Sequence, residues 1–212
     1  MSMIGNISEN LQKGRLKDVV SMVQQALDEN VDPKSILNDG LLAGMMVIGE
    51  KFKNNEVFIP EVLIAARAMN AGLAVLEPLL AEAGNEPVGR VVIGTVKGDM
   101  HDIGKNIVAM MLKGAGFEIH DLGVDVEPDD FIDKAEEFGA DIICMSALLT
   151  TTMAQMKVVI DRLAERGLRD KYIVMVGGAP VSEGFAKQIG ADYYTVDAAS
   201  CAQTAKEHML SK

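Results

Sequence analysis

Tryptophan is absent from this 212-residue chain, and only six phenylalanines and three tyrosines occur. Cysteine is nearly as scarce. Cys144 and Cys201 form no CxxC and have no histidines at zinc spacing. That excludes a structural zinc site and points to a reduced, cytoplasmic protein. Basic residues are in deficit, 20 Lys and Arg against 31 Asp and Glu, for a net charge of −11. Binding to phosphate backbones or anionic membrane surfaces needs clustered Lys and Arg, so nucleic acid and membrane are excluded as partners. No apolar run approaches the roughly 18 residues of a membrane span. The N-terminal "MSMIGNISENLQKGRLKD" lacks the apolar stretch of a secretory signal. The poverty in aromatics is matched by 14 methionines, residues that fill irregular cores or line adaptable binding surfaces.

What is present falls into two parts with different periods. From residue 6 to about 82 the apolar spacing is helical throughout. Leu11, Leu16, Val19, Val20, Val23 and Leu27 form one stripe; Asp32 and Pro33 read as an N-cap and first-turn proline; Pro60 opens a further unit. The pattern predicts four or five short helices in a bundle over 1–84. "AGNEPVG" (83–89) is turn-rich and serves as a linker, placed at 85–89 in the domain scheme. From residue 90 to 212 five short β-branched runs alternate with five helical ones: "RVVIGTV", "FEIHDLGV", "DIICMSAL", "YIVMVGG" and "DYYTV" are the strands. Such alternation predicts an α/β fold with a doubly wound parallel sheet. The expected order is the flavodoxin-like 2-1-3-4-5, with ligands beyond the carboxyl ends of the strands.

Three segments would rim that crevice: "GDMHDIG" after strand 1, "SALLTTT" after strand 3 and "GGAP" after strand 4. No GxGxxG follows strand 1 and no GxxxxGK[ST] occurs, so dinucleotide folds and P-loop enzymes are set aside. The end of strand 3 offers Cys144 and Ser146 rather than an acceptor aspartate, which disfavours a phosphorelay receiver. His101 in the first segment could be a general base, a metal ligand or a structural hydrogen-bonder. Asp99, two residues upstream, can accept one ring N–H and leave the other nitrogen's lone pair free. No other ligand cluster converges on it in sequence, His120 and His208 being isolated. A single protein ligand suits a metal otherwise held by a macrocycle.

Gly98-Asp99-Met100-His101-Asp102-Ile103-Gly104 carries the DxHxxG motif and resembles the methylcobalamin-binding modules of methionine synthase and of small methyltransferase corrinoid proteins. Ser146-Ala147-Leu148 is similar to the family's SxL element and Gly177-Gly178 to its GG element, in the same order. "VIGEKFKNNEVFIPEVLIAARAM" resembles the helical cap that precedes such a module. The resemblance implies a B12-binding, Rossmann-like second half. It also implies base-off cofactor binding, with His101 as the lower axial ligand of cobalt, backed by Asp99. Thr152 stands where the family commonly has serine, and keeps the hydroxyl. Gly177 and Gly178 would leave room for the nucleotide tail, Ser146 and Thr150 would hydrogen-bond it, and Ala199 would line its far end. In the cap, Phe52, Ile59 and Val62 fall where the family places apolar residues over the methyl-bearing face.

The chain ends soon after the second half, so the resemblance implies a free-standing methyl carrier whose cofactor alternates between cob(I)alamin and methylcob(III)alamin or a related corrinoid. The implied partners are a substrate-specific methyltransferase, a corrinoid:coenzyme M or corrinoid:tetrahydrofolate methyltransferase, and a reductive activase. "GGAPVSEGFAKQIGAD" looks closest to the methylamine and quaternary-amine branch. The rival expectation is a cobalamin-binding sensor or regulatory module, which would normally carry a fused effector. A mutase small subunit shares DxHxxG but usually lacks the cap.

Overall fold

The computed structural model describes residues 2–82 and 86–211. It divides into two compact units, Met1–Glu86 with Gly114–Gly116, and Pro87–Lys113 with Phe117–Lys212. The expected linker falls partly on 83–85, outside the described residues.

The first unit is helical. Helix α1 (Met3–Gln12) starts where the Ser2 hydroxyl accepts from the Gly5 amide at 3.1 Å. Helix α2 (Leu16–Asp28) buries Val19, Val23 and Ala26, one stripe at helical spacing. Asp32 caps the short helix α3 (Pro33–Ser35), accepting from the Ser35 amide at 3.0 Å, with Pro33 in the first turn. The chain then widens into a π-helical stretch, Ile36–Leu42, and narrows into helix α4 (Ala43–Lys53). Apolar periodicity cannot reveal that widening, because the buried residues Ile36, Leu41 and Leu42 also satisfy an α-helical stripe.

Helix α5 (Ile59–Glu82) is the unit expected to open near Pro60; at 24 residues it is longer than the short helices expected of the bundle, and it tolerates Pro78 near its end. Its segment Ile59–Leu80 has a mean hydropathy of 1.5 and is long and apolar enough to cross a membrane by length and composition. Its uninterrupted apolar runs are nonetheless short, as expected: Glu61, Arg67, Asn70 and Glu77 break them, and Leu, Ile, Val and Ala carry the mean. Val62, Ala65, Ala66, Met69, Leu76 and Leu80 are buried along one stripe of this helix, which packs chiefly on α2.

In the second unit, strands β1 (Arg90–Thr95), β2 (Glu118–Asp121), β3 (Ile142–Ser146), β4 (Ile173–Gly177) and β5 (Tyr193–Tyr194) form one sheet in the order β2-β1-β3-β4-β5. Every pairing is parallel, as expected. Helices α6 (Ile103–Gly114), α7 (Pro128–Phe138), α8 (Ala154–Glu165), α9 (Glu183–Ile189) and α10 (Ala198–Leu210) follow the strands in turn. One core gathers Val92, Ile143, Met145 and Val174 from the strands with Phe131, Ile132, Met156 and Leu163 from α7 and α8. The near-continuous burial of β1, β3 and β4 is what a parallel sheet covered on both faces requires. Cys144 and Cys201 are free and buried, and the hydrogen bond between them, with burial, pushes the Cys144 thiol up. Such a thiol carries little reactive thiolate.

Candidate functional site

The loops after β1 and β3 meet at Asp99, and the turn after β4 lies against Ala147 of the second of these loops. The Asp99 side chain has no solvent exposure, and both oxygens are taken. Oδ1 accepts from the His101 amide at 3.1 Å and pairs with His101 Nδ1 at 2.7 Å. Oδ2 accepts from the amides of Leu148 and Leu149 at 2.8 and 3.1 Å, and from the Thr152 hydroxyl at 2.7 Å. Burial opposes ionisation of this carboxyl, but the bonds from His101, Thr152, Leu148 and Leu149 outweigh it and hold Asp99 well below the usual carboxylate range. A buried charge is tolerable here because every lone pair direction meets a donor. The Thr152 hydroxyl also lies 2.9 Å from the Leu149 carbonyl. With one hydrogen to give, it serves one acceptor at a time, so it can release Asp99 without losing a partner.

An ionised Asp99 accepts a hydrogen bond from His101 Nδ1–H and so fixes the imidazole tautomer, leaving the lone pair on Nε2. The ring is half exposed. Beside it in the chain, and on the β3 loop bonded to Asp99, stand apolar side chains that face water, Met100 (69% exposed), Ile103 (68%), Leu148 and Leu149. Four exposed hydrophobics about one histidine form a surface that fits a flat, largely apolar ligand. Asp102, the second aspartate of the motif, turns away: its Oδ2 accepts from Asn106 in the first turn of α6. His120 packs at a tilt against Phe138 and His208 meets the Tyr193 hydroxyl, so neither joins His101. Among the described residues no three His, Cys, Asp or Glu side chains could hold a metal ion together. A metal here would rest on His101 alone.

The glycines divide. At Gly104 an added Cβ would meet nothing within 4 Å, and at Gly177 only the Thr195 carbonyl oxygen at 4.0 Å. Gly178 differs: its φ is +127°, and an added Cβ would collide with the Ala147 carbonyl oxygen. The resemblance implies that both glycines leave room for the tail; Gly178 has a further reason to be glycine, since its backbone conformation requires it. Ser146 and Ala199 are half-buried and Thr150 is exposed. Ser146 pairs with Gly177 across β3 and β4, and its carbonyl accepts from the Val96 amide. Phe52, Ile59 and Val62 belong to the first unit, where Phe52 is half-buried, Ile59 exposed and Val62 wholly buried.

Three residues of this neighbourhood were not singled out from sequence. Thr95, fully buried at the end of β1, donates its hydroxyl to the His101 carbonyl at 2.9 Å. Asp125, in the loop after β2, accepts from the Gly98 amide, and its own amide donates to the Asp99 carbonyl. Lys105 is buried in α6 and pairs with Asp121. The lysine-plus-aspartate pairing has no sequence spacing to betray it, and Asp125 sits in "LGVDV", which reads as the tail of a strand.

A model of the B12 binding domain matches residues 89–203, and a second model, of the same description, matches 4–77. The dimethylamine corrinoid protein of Methanosarcina barkeri is 48% identical over 192 residues, 90% of each chain. The chain belongs to the corrinoid proteins of methyltransferase systems. A corrinoid protein of Desulfitobacterium hafniense is 45% identical over 195 residues, covering 91% of this chain and 90% of that one. Among solved structures, the methanol:cobalamin methyltransferase complex of Methanosarcina barkeri matches 99% of this chain and 80% of that one, with a TM-score of 0.88 and 31% identity. The fold class and the cobalamin cofactor expected from sequence are thereby borne out. The site of this corrinoid protein fits that cofactor: a tautomer-fixed histidine for cobalt, an apolar rim for the macrocycle, and open ground at Gly104 and Gly177.

Proposed function

We propose that this corrinoid protein is a mobile methyl carrier serving two methyltransferases, with His101 Nε2 as the protein ligand to cobalt. The observation that carries the reading is the buried, fully bonded Asp99 holding His101 Nδ1 at 2.7 Å, so that Nε2 points its lone pair outward. When bound, the cofactor supplies a cobalt centre that takes up and gives away a methyl group. The protein's own part is to hold the imidazole in one tautomer while ligated and to adjust its proton through Asp99 and Thr152 when released. Gly177 leaves space for the nucleotide tail, with the hydroxyls of Ser146 and Thr150 as its polar partners and Ala199 at its far end. Phe52 and Ile59, which keep exposed surface, shield the methyl group; Val62, expected beside them, is wholly buried and cannot reach it.

The methyl donor we propose is a methylamine, because relatives named for dimethylamine and trimethylamine stand at 43–48% identity, against 31% for the methanol complex. Its partners are then a methylamine-specific methyltransferase, a second methyltransferase delivering to coenzyme M or tetrahydrofolate, and a reductive activase. Reconstitution with hydroxocobalamin, reduction to Co(II) and continuous-wave EPR test the ligand assignment. Nitrogen splitting is expected in the wild type and absent in His101→Ala; splitting that survives the substitution removes His101 from cobalt. Methyl uptake should follow with a dimethylamine methyltransferase and not with a methanol-specific one.

A further inference from the structure

The loop that carries Asp99 and His101 has no helix or strand of its own, yet its backbone is fixed at three successive places. The Thr95 hydroxyl holds the His101 carbonyl at 2.9 Å. The Asp125 carboxylate accepts from the Gly98 amide at 2.6 Å, and the Asp125 amide donates to the Asp99 carbonyl at 3.0 Å. Asp125 therefore grips two adjacent residues at once, one through its side chain and one through its main chain.

Asp125 does this in a conformation that disfavours it. Its φ is +55°, in the left-handed region, where glycine would be free of strain. The surrounding loop imposes the conformation. The Gly123 carbonyl accepts from the Thr95 amide at 2.9 Å, and the Val126 amide donates to the Thr95 carbonyl at 3.0 Å. Asp121, at the start of the loop, accepts from the Gly123 amide at 2.9 Å and pairs with buried Lys105. Both ends of the loop are thus anchored to β1 and α6, and Asp125 projects from a fixed base. Strain held in place by surrounding bonds at a functional site is a sign that the side chain there has a task. Glycine would satisfy the φ but leave the Gly98 amide without its carboxylate.

We infer that Asp125 is a positioning residue for the axial histidine, clamping residues 98 and 99 so that Asp99 presents the His101 ring at one angle to cobalt. The inference rests on the proposed role of His101. Ligand orientation by groups behind the ligand is a general determinant of metal affinity. Both bonds from Asp125 to residues 98 and 99 go to main-chain atoms, so the effect passes through the loop backbone.

The test uses the full chain loaded with hydroxocobalamin and compares wild type, His101→Ala, Asp125→Asn, Asp125→Gly and Asp125→Ala. The readouts are the nitrogen-split fraction of the Co(II) EPR signal and the Co(II)/Co(I) midpoint potential. Asparagine tolerates the left-handed region and keeps an acceptor oxygen, so Asp125→Asn should stay near wild type. Asp125→Gly keeps the backbone grip alone. Loss of one charge-assisted hydrogen bond should lower its histidine-on to histidine-off ratio about tenfold. Asp125→Ala loses the carboxylate and adds strain, and should fall furthest. Because four-coordinate Co(I) has no axial ligand, the potential should rise in the same order.

Full splitting in every Asp125 variant, with potentials unchanged, overturns the inference. So does an Asp125→Asn protein as impaired as Asp125→Ala, since the acceptor is retained there. If Asp125→Ala does not fold, the contrast between Asn and Gly decides alone. A wild type indistinguishable from His101→Ala is a different failure: it removes the histidine from cobalt, and the clamp loses its object with it.

Discussion

Asp99 is where one side chain does most of the organising. Two backbone amides from the β3 loop, the His101 amide, the His101 ring and the Thr152 hydroxyl all converge on its two oxygens. Its folded pKa lies below the unfolded one, near 3.9. The unfolded chain therefore binds more protons in the acid range, and the stability this gives is complete above about pH 4 and is lost as pH falls toward the folded value. Asp99→Asn removes both the charge and one acceptor, placing an amide N–H against donors. It should cost on the order of 2–3 kcal/mol at pH 7. Because asparagine does not titrate, the gap to wild type should then narrow by up to about 1.4 kcal/mol per pH unit below pH 4. Urea unfolding of both proteins at pH 7, 4 and 3 measures it. A gap that stays constant across that range would show that the ionised form of Asp99 contributes nothing to folding.

The strand ends separate two kinds of glycine that look alike in sequence. Gly177 closes β4 with open space beside it, whereas Gly178 has φ +127° and a carbonyl where a side chain would go. Gly178→Ala should destabilise the fold by more than about 1 kcal/mol whether or not cobalamin is present. Gly177→Leu should leave the circular dichroism and unfolding midpoint near wild type but weaken hydroxocobalamin binding at least about tenfold, a loss measured by titration. A Gly177→Leu protein with wild-type affinity would show that the tail does not run past β4. This difference was invisible from the residues because "GG" encodes neither φ nor neighbours. The strand order, by contrast, was legible: β-branched runs such as Val91–Val92–Ile93 alternate with amphipathic helices, and right-handed crossovers leave few parallel arrangements. The three site loops followed from that order, since a parallel sheet sends them all to one edge. The clamp did not follow, because Thr95 and Asp125 are far apart in sequence and act through hydrogen bonds that no periodicity records. The π-helical stretch and the length of α5 escaped for a related reason, as apolar spacing reports a buried face and not the turn or the continuity of the helix.

On the scale of the whole chain, the two units have different physical tasks. The second holds every residue of the Asp99 network, while the first contributes apolar side chains whose proposed role is shielding. Shielding has a measurable consequence. Light breaks the methyl–cobalt bond into a radical pair, and the yield of escape depends on what confines the methyl radical before it recombines. Phe52→Ala removes a half-buried ring and Ile59→Ala a side chain 39% exposed, so each should open space for escape at modest cost to the helical packing. Val62→Ala is the contrasting case: Val62 is wholly buried, and truncating it should cost about 1–3 kcal/mol in stability. All three should keep the cobalamin affinity of the wild type, because His101 and the residues proposed to hold the tail belong to the other unit. Photolysis of the methylated proteins under one lamp, with affinity and unfolding midpoint measured alongside, separates the possibilities. Faster photolysis in Phe52→Ala and Ile59→Ala at unchanged midpoint is the expected result. Rates equal to wild type in both would remove the shielding role from these residues. A change only in Val62→Ala, accompanied by lost stability, would trace the effect to loosened helix packing instead of to a covered methyl group.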